Sequence, residues 1–286
     1  MKKRKILLSI DVFNPNRTIL KYGVYTAKNL GASLLLFDAH FESVTIPNEF
    51  KIATHDSENE EKIERAKKRL ADLYKELSEE WYFTRAKLVT DTVPTWKGEK
   101  VYYLIEEIEA QKPAMVILGI KSDFNFINEL LGTPETKLAE STACPVLLLP
   151  EETNYSEITD INYLLEREKP IDEVIKEVHF LKTMADSYTK KSTINLIYYF
   201  GDNKELAEQE LALKKSILLN ELNYNKLVFH NMSDHDIEKA IHQNTKKYAA
   251  DIFAFPSRNK TFLERITNKD NTKRLILQSK IPVLVF

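Results

Sequence analysis

Two of the chain's six glycines bracket a loop with the residue types that hold an anion. Gly119-Ile120-Lys121-Ser122 follows the apolar run Ala114-Met115-Val116-Ile117-Leu118, and Gly132-Thr133-Pro134 comes after a gap of nine residues. A continuous apolar run reads as a strand buried on both faces. Thr133 is a natural N-cap and Pro134 suits the first position of a helix. Glycine permits φ > 0 and lets a ligand come close to the main chain. A helix start directs unpaired N–H groups and the positive end of its dipole at the loop, and Lys121 adds a full charge. The same residues also make an ordinary capped helix after a strand.

The elements that would position this loop repeat along the chain. Pro145 lies 13 residues after Gly132, which lies 13 after Gly119; near the C-terminus Pro282 lies 13 after Lys269, which lies 13 after Pro256. All three pairs are offset by 137 residues. Around them Ala114–Leu118 aligns with Asp251–Phe255, and Cys144-Pro145-Val146-Leu147 with Ile281-Pro282-Val283-Leu284. A chain of 286 residues accommodates two domains, each with its own core, so the sequence reads as two copies, 1–150 and 151–286, joined at the polar stretch Pro150–Asn154.

Each copy alternates strand and helix patterns. In the first, Ile6 to Asp11 is a strand that ends in a carboxylate, Asn14-Pro15-Asn16 turns, and a helix runs from Thr18 to Asn29 until Gly31 stops it. Ser33 to Ala39 is a second strand. His40 to Asn59 has no clear period and reads as a surface excursion. From Lys62 to Glu80 the apolar residues Ile63, Ala66, Leu70, Leu73 and Leu77 share one helix face. Trp81 to Val89 reads as the third strand, Val101 to Ile108 as a helix, then come the strand ending at Leu118, a helix over Thr133–Thr142 and a fifth strand over Val146–Leu149. The second copy has strands at Ile158–Leu165, Ile194–Phe200, Leu227–Phe229, Ile252–Phe255 and Val283–Phe286. Its helices fall at Pro170–Ala185, after Asp202, at Ile237–Tyr248 and at Thr272–Gln278. Such alternation predicts two tandem, doubly wound, mostly parallel five-stranded sheets of Rossmann-like α/β class.

Composition excludes several function classes. The formal net charge of -2 supplies no general attraction for nucleic acid. Lys2-Lys3-Arg4-Lys5 precedes an apolar stretch too short for a signal peptide or a membrane span. The single cysteine, Cys144, forms no internal disulfide and suits a reducing cytoplasm. His230, His235 and His242 lack the spacing of a zinc site and read as solvent-facing. There is no nucleophile elbow, Walker loop, dinucleotide fingerprint or Cys-x-x-Cys pair. No residue is placed for efficient catalysis, so no enzyme is expected.

The turn Gly119-x-x-Ser122, nine residues, Gly132-Thr133 and the closing Cys144-Pro145-Val146-Leu147 resemble the universal stress protein family. That family's signature is Gly-x-x-Gly, nine residues, then Gly-Ser or Gly-Thr, and Ser122 stands where its second glycine falls. By element order the resemblance covers both halves, as in tandem members, whose sheets are similar to those of the adenine nucleotide alpha hydrolases. It implies ATP or another adenine nucleotide, with or without Mg²⁺, lying across the carboxyl ends of the strands. Asp11 would contact the adenosine portion, the Ala39 backbone the adenine, and Gly119, Lys121, Ser122, Gly132 and Thr133 the phosphates. Ser122 and Glu135 are the residues that oppose a phosphate there. In the second copy Pro256, Asn259, Lys269 and Asp270 replace the signature, which implies a non-binding, structural half. The resemblance also implies that the two fifth strands pair within one chain as an intramolecular pseudo-dimer. It implies a cytoplasmic stress-response regulator, with a homodimer and a protein partner left open. The alternative is a non-binding family member that works as a protein-interaction module.

Overall fold

The computed structural model describes residues 4–37, 55–81, 86–88, 100–120, 144–150, 153, 157–165, 169–188, 192–199, 204–232, 250–256 and 281–286. They fall into two compact units, 1–119 and 120–286.

In the first unit the elements are β1 (Lys5–Ser9), α1 (Arg17–Asn29), β2 (Ser33–Phe37), α2 (His55–Glu80), β3 (Ala86–Leu88), α3 (Lys100–Gln111) and β4 (Met115–Ile120). The strands are parallel in the order β3-β2-β1-β4. Leu7, Leu8, Leu34, Leu36, Val116 and Ile117 are all fully buried. Burial on both faces is the reason these strands read as unbroken apolar runs rather than alternating ones, and each such side chain contributes roughly 1.5–3 kcal/mol.

Helix α1 has both ends written in its sequence. The Asn16 side chain accepts the N–H groups of Thr18 at 2.9 Å and Ile19 at 3.2 Å, which is N-capping. At the other end Gly31 takes φ +61°. Its N–H bonds to the carbonyl of Lys28 while that of Ala32 bonds to Ala27, a Schellman closure that glycine makes without strain. Right-handed crossovers put α1 and α2 on one face of the sheet, and Arg17 at the start of α1 forms ion pairs with Glu76 and Glu80 of α2.

Two expectations need correction here. Helix α2 starts at His55, inside the stretch expected to be a surface excursion. The opening residues Asp56, Glu58, Glu60 and Glu61 have no apolar period, but acidic residues favour a helix N-terminus. Trp81 does not open the third strand: its N–H bonds to the carbonyl of Leu77 and finishes α2, and β3 is confined to Ala86–Leu88.

The second unit contains β5 (Val146–Pro150), β6 (Asp160–Leu165), α4 (Ile171–Tyr188), β7 (Thr193–Tyr199), α5 (Lys204–Leu222), β8 (Leu227–Met232), β9 (Ile252–Phe255) and β10 (Val283–Val285). Its order is β5-β10-β9-β6-β7-β8. The run β8-β7-β6-β9 repeats the order β3-β2-β1-β4, and its neighbours are again parallel. Strand β10 is parallel to β9 and antiparallel to β5, with Val283 opposite Leu148, Leu284 opposite Leu147 and Val285 opposite Val146. The offset of 137 residues makes Leu147 and Leu284 equivalent, so the two strands meet about a local two-fold through that pair. This pairing holds β5 in the second unit. The helices expected at Thr133–Thr142, Ile237–Tyr248 and Thr272–Gln278 lie outside the described residues.

Candidate functional site

The first sheet has one topological switch point. From β1 the chain winds outward through β2 and β3, then returns to the other side of β1 as β4. Crossovers leave such a point in opposite directions and open a crevice at the carboxyl ends of the two central strands. Ser9, the last residue of β1, is level with Phe37 of β2 and Leu118 of β4. Asp11 therefore stands two residues beyond the end of β1, and Gly119 one residue beyond Leu118, on either side of the crevice. Of the other predicted site residues, Ala39, Lys121, Ser122, Gly132 and Thr133 lie outside the described residues, as does Glu135.

Asp11 is engaged in shaping its own loop. Its Oδ1 accepts the backbone N–H groups of Phe13 at 3.0 Å and Asn14 at 3.1 Å, an Asx-type turn that replaces a backbone turn by a side chain. Ile10 and Val12 are buried beneath this turn, and Phe13 on it is 46% exposed. Asn16 then takes the first amides of α1. The sequence suggested Asn16 only as a turn residue; an Asn immediately before a helical pattern is a capping signal and could have been read as one.

Gly119 has a close neighbour that its sequence context does not show. Among the described glycines only Gly31 has positive φ, so Gly119 does not need glycine's left-handed freedom. A Cβ on Gly119 would lie 2.2 Å from Cδ1 of Ile19 on α1. One on Gly23, within α1, would lie 2.6 Å from Cδ2 of Leu8 on β1. Helix α1 thus rests on the sheet at two glycine seats, one on the helix and one on the strand. Gly23 was not singled out in the sequence, although a glycine inside a helical pattern signals close packing.

The turn between β6 and α4 in the second unit is built otherwise. Lys169, 6% exposed, forms an ion pair with Glu177, 7% exposed, and lies 3.8 Å from Glu173. The Tyr163 hydroxyl of β6 donates to the other Glu177 oxygen at 2.6 Å, and Lys214 of α5 donates to the Lys169 carbonyl at 3.4 Å. Charges rarely go below the surface unless paired and hydrogen-bonded in this way. The sequence reading missed this group, although Lys169, Glu173 and Glu177 follow one another at four-residue spacing. Pro256 is buried directly after β9 and has no N–H to offer. His230, expected at the surface, is partly buried. Its Nε2 lies 3.1 Å from Asn195 Oδ1, and Asn195 in turn donates to Asn162 at 2.9 Å, so it belongs to a polar row across β8, β7 and β6. Among the described residues no group of three potential metal ligands occurs, and no described helix is long and apolar enough to cross a membrane.

No family model matches the sequence, and no curated protein matches it. Solved structures do match. A putative universal stress protein from Pseudomonas aeruginosa UCBPP-PA14 superposes with a TM-score of 0.59 at 18% identity, over 100% of this chain and 93% of that one. A universal stress protein from Archaeoglobus fulgidus DSM 4304 gives 0.64 at 16%, over 98% and 95%. The chain has the universal stress protein fold. At this level of identity the likeness concerns fold alone. The cytoplasmic domain of a prokaryotic cation chloride cotransporter also superposes, with a TM-score of 0.55 at 11% identity over 99% and 95%. The universal stress protein fold therefore serves more than one kind of protein, and function has to be argued from the site.

Proposed function

We propose that this chain is a tandem universal stress protein whose N-terminal half, residues 1–150, binds ATP or another adenine nucleotide and whose C-terminal half, residues 151–286, is a structural partner. The whole acts as a cytoplasmic stress-response regulator and not as an enzyme, apart from slow ATP hydrolysis. The observation that supports this reading is the switch point between β1 and β4, with Asp11 and Gly119 on its two sides and the capped start of α1 above it. Backbone N–H groups, a helix terminus and Lys121 suit a phosphate, and the crevice at a switch point is where open α/β sheets take ligands. In the second unit the buried pair of Lys169 and Glu177, together with Pro256, favours a half that keeps the fold and binds no nucleotide.

A second reading is favoured by a specific observation. Asp11 Oδ1 already receives two backbone N–H groups and Asn16 two more, so the loop is satisfied from within. Under this reading the chain binds no nucleotide and serves as a protein-interaction module, alone or as a homodimer. Calorimetry with ATP and Mg²⁺ on the intact chain and on Gly132→Asp separates the two. Binding near one site per chain, lost in the variant, is the expected result; a folded chain that releases no heat on titration moves the search to protein partners.

A further inference from the structure

We propose that Gly119 is a positioning residue: it is the seat on β4 into which Ile19 fits, and it thereby sets where the N-terminus of α1 stands over the carboxyl ends of β1 and β4. Its effect on a ligand runs through the helix and not through contact between its own backbone and the ligand. The proposal rests on the nucleotide reading for one of its three readouts only.

The steric argument is specific to single atoms. The contact that a side chain at 119 would have to displace is Cδ1 of Ile19, the far end of that side chain, 2.2 Å from an ideal Cβ. The next two atoms, Cγ1 at 3.4 Å and Cγ2 at 4.0 Å, are at ordinary van der Waals range. Ile19 is 8% exposed and its χ1 is held by β-branching in a helix, so Cδ1 can clear a new Cβ only by turning about χ2 within packed surroundings. Ile19 is also one of the two residues whose amides Asn16 caps, so a push on its side chain acts on the first turn itself. One turn further along, Gly23 gives the matching close approach to Leu8 of β1. With both seats glycine, α1 lies as near to the sheet as the backbone allows. The ordinary φ of Gly119 removes the usual conformational reason for a glycine, which leaves the seat as the physical account of the residue.

The test is a methyl exchange. Valine at 19 deletes Cδ1 and keeps both γ-carbons, so Gly119→Ala and Ile19→Val are complementary. Gly119→Ala overpacks the seat and is expected to lower the thermal unfolding midpoint by about 3 to 8 °C, to speed hydrogen exchange at the Thr18 and Ile19 amides, and to weaken ATP binding. Ile19→Val alone leaves a small void and lowers the midpoint by about 1 to 4 °C. In the double variant all three readouts return towards those of the unaltered chain. Losses that simply add in the double variant overturn the seat. Recovery of midpoint and exchange without recovery of binding means that Gly119 touches the ligand itself, and overturns the positioning role. If the unaltered chain binds no ATP, the proposed function fails, while midpoint and exchange still decide the seat.

Discussion

The two units solve the same construction problem with different chemistry. Each must connect a buried central strand to a helix that covers it, at the end of the sheet where an α/β fold takes its ligand. In the first unit the connection is made through main-chain amides: Asp11 holds those two and three positions on, Asn16 does the same, and glycine seats bring helix and sheet together. In the second it is charged: Lys169, Glu177 and Tyr163, from just before α4, from α4 and from β6, form one buried group. The same contrast runs through the rest of the second unit, where Asn162, Asn195 and Ser192 are buried and paired across strands and turns. Short polar side chains hold main-chain amides of the first unit, whereas in the second a buried lysine and glutamate supply both charges from the protein. On the proposed function the first unit is the one that receives a ligand.

The contrast breaks most readily at Glu177. Without its carboxylate Lys169 loses its nearer ion-pair partner and the Tyr163 hydroxyl loses the acceptor at 2.6 Å. Removing one partner of a buried pair costs about 3–5 kcal/mol. Glu177→Ala should show that loss in urea unfolding of the second unit, while ATP binding by chains that remain folded is unchanged. Replacing both charges, as Lys169→Met with Glu177→Leu, should recover most of the stability because no charge is left buried alone. A loss below about 0.5 kcal/mol in the single variant would mean that the pair is as inconsequential as a surface one.

Much of this architecture is legible in the sequence, for physical reasons that particular residues show. Strands buried on both faces have to be apolar throughout, so Leu34–Phe37 and Ile252–Phe255 stand out without a structure. The offset of 137 residues places Leu147 and Leu284 in equivalent positions, and they are partners across β5 and β10. What was not legible depends on contacts rather than on pattern. The opening turns of α2 carry no apolar stripe, and Trp81 has the composition of a strand residue while its N–H belongs to a helix. Gly119 was noticed, but the atom that makes it necessary is 100 positions away in the chain. Lys169 and Glu177 carry no sign in the sequence that both charges are buried.

A second, smaller test of the charged and polar build of the second unit uses pH. The Tyr224 hydroxyl donates to the Ser192 carbonyl at 2.8 Å, and Ser192 Oγ donates to the carbonyls of Ile158 and Ala185. Burial, reinforced by the nearby charge of Asp186, pushes the Tyr224 pKa up to about 12 from 10.0. A raised folded-state value means that the folded chain holds the proton more tightly than the unfolded one. The contribution is therefore complete below pH 10 and is lost as pH rises from there towards 12. Tyr224→Phe should be less stable than the unaltered chain at neutral pH and should lack that share of the alkaline decline, as followed by denaturant unfolding at a series of pH values. Parallel decline in both chains would show that the hydroxyl is not specially held.

The least costly substitution probes the first unit's way of building. Asn16→Ala removes one side-chain acceptor and leaves the Thr18 and Ile19 amides without their cap, a loss of about 1 kcal/mol. It buries no charge and opens no cavity, so the fold survives and the effect stays local. Because the first turn of α1 stands above the switch point, fraying it should also weaken ATP binding, by less than Gly119→Ala does, since the helix keeps both glycine seats. Calorimetry and unfolding on the same preparation measure the two effects together. A stability loss of the expected size with undiminished nucleotide affinity would separate the cap from the site, and would leave the β4 side of the crevice as the part of the first unit that a ligand depends on.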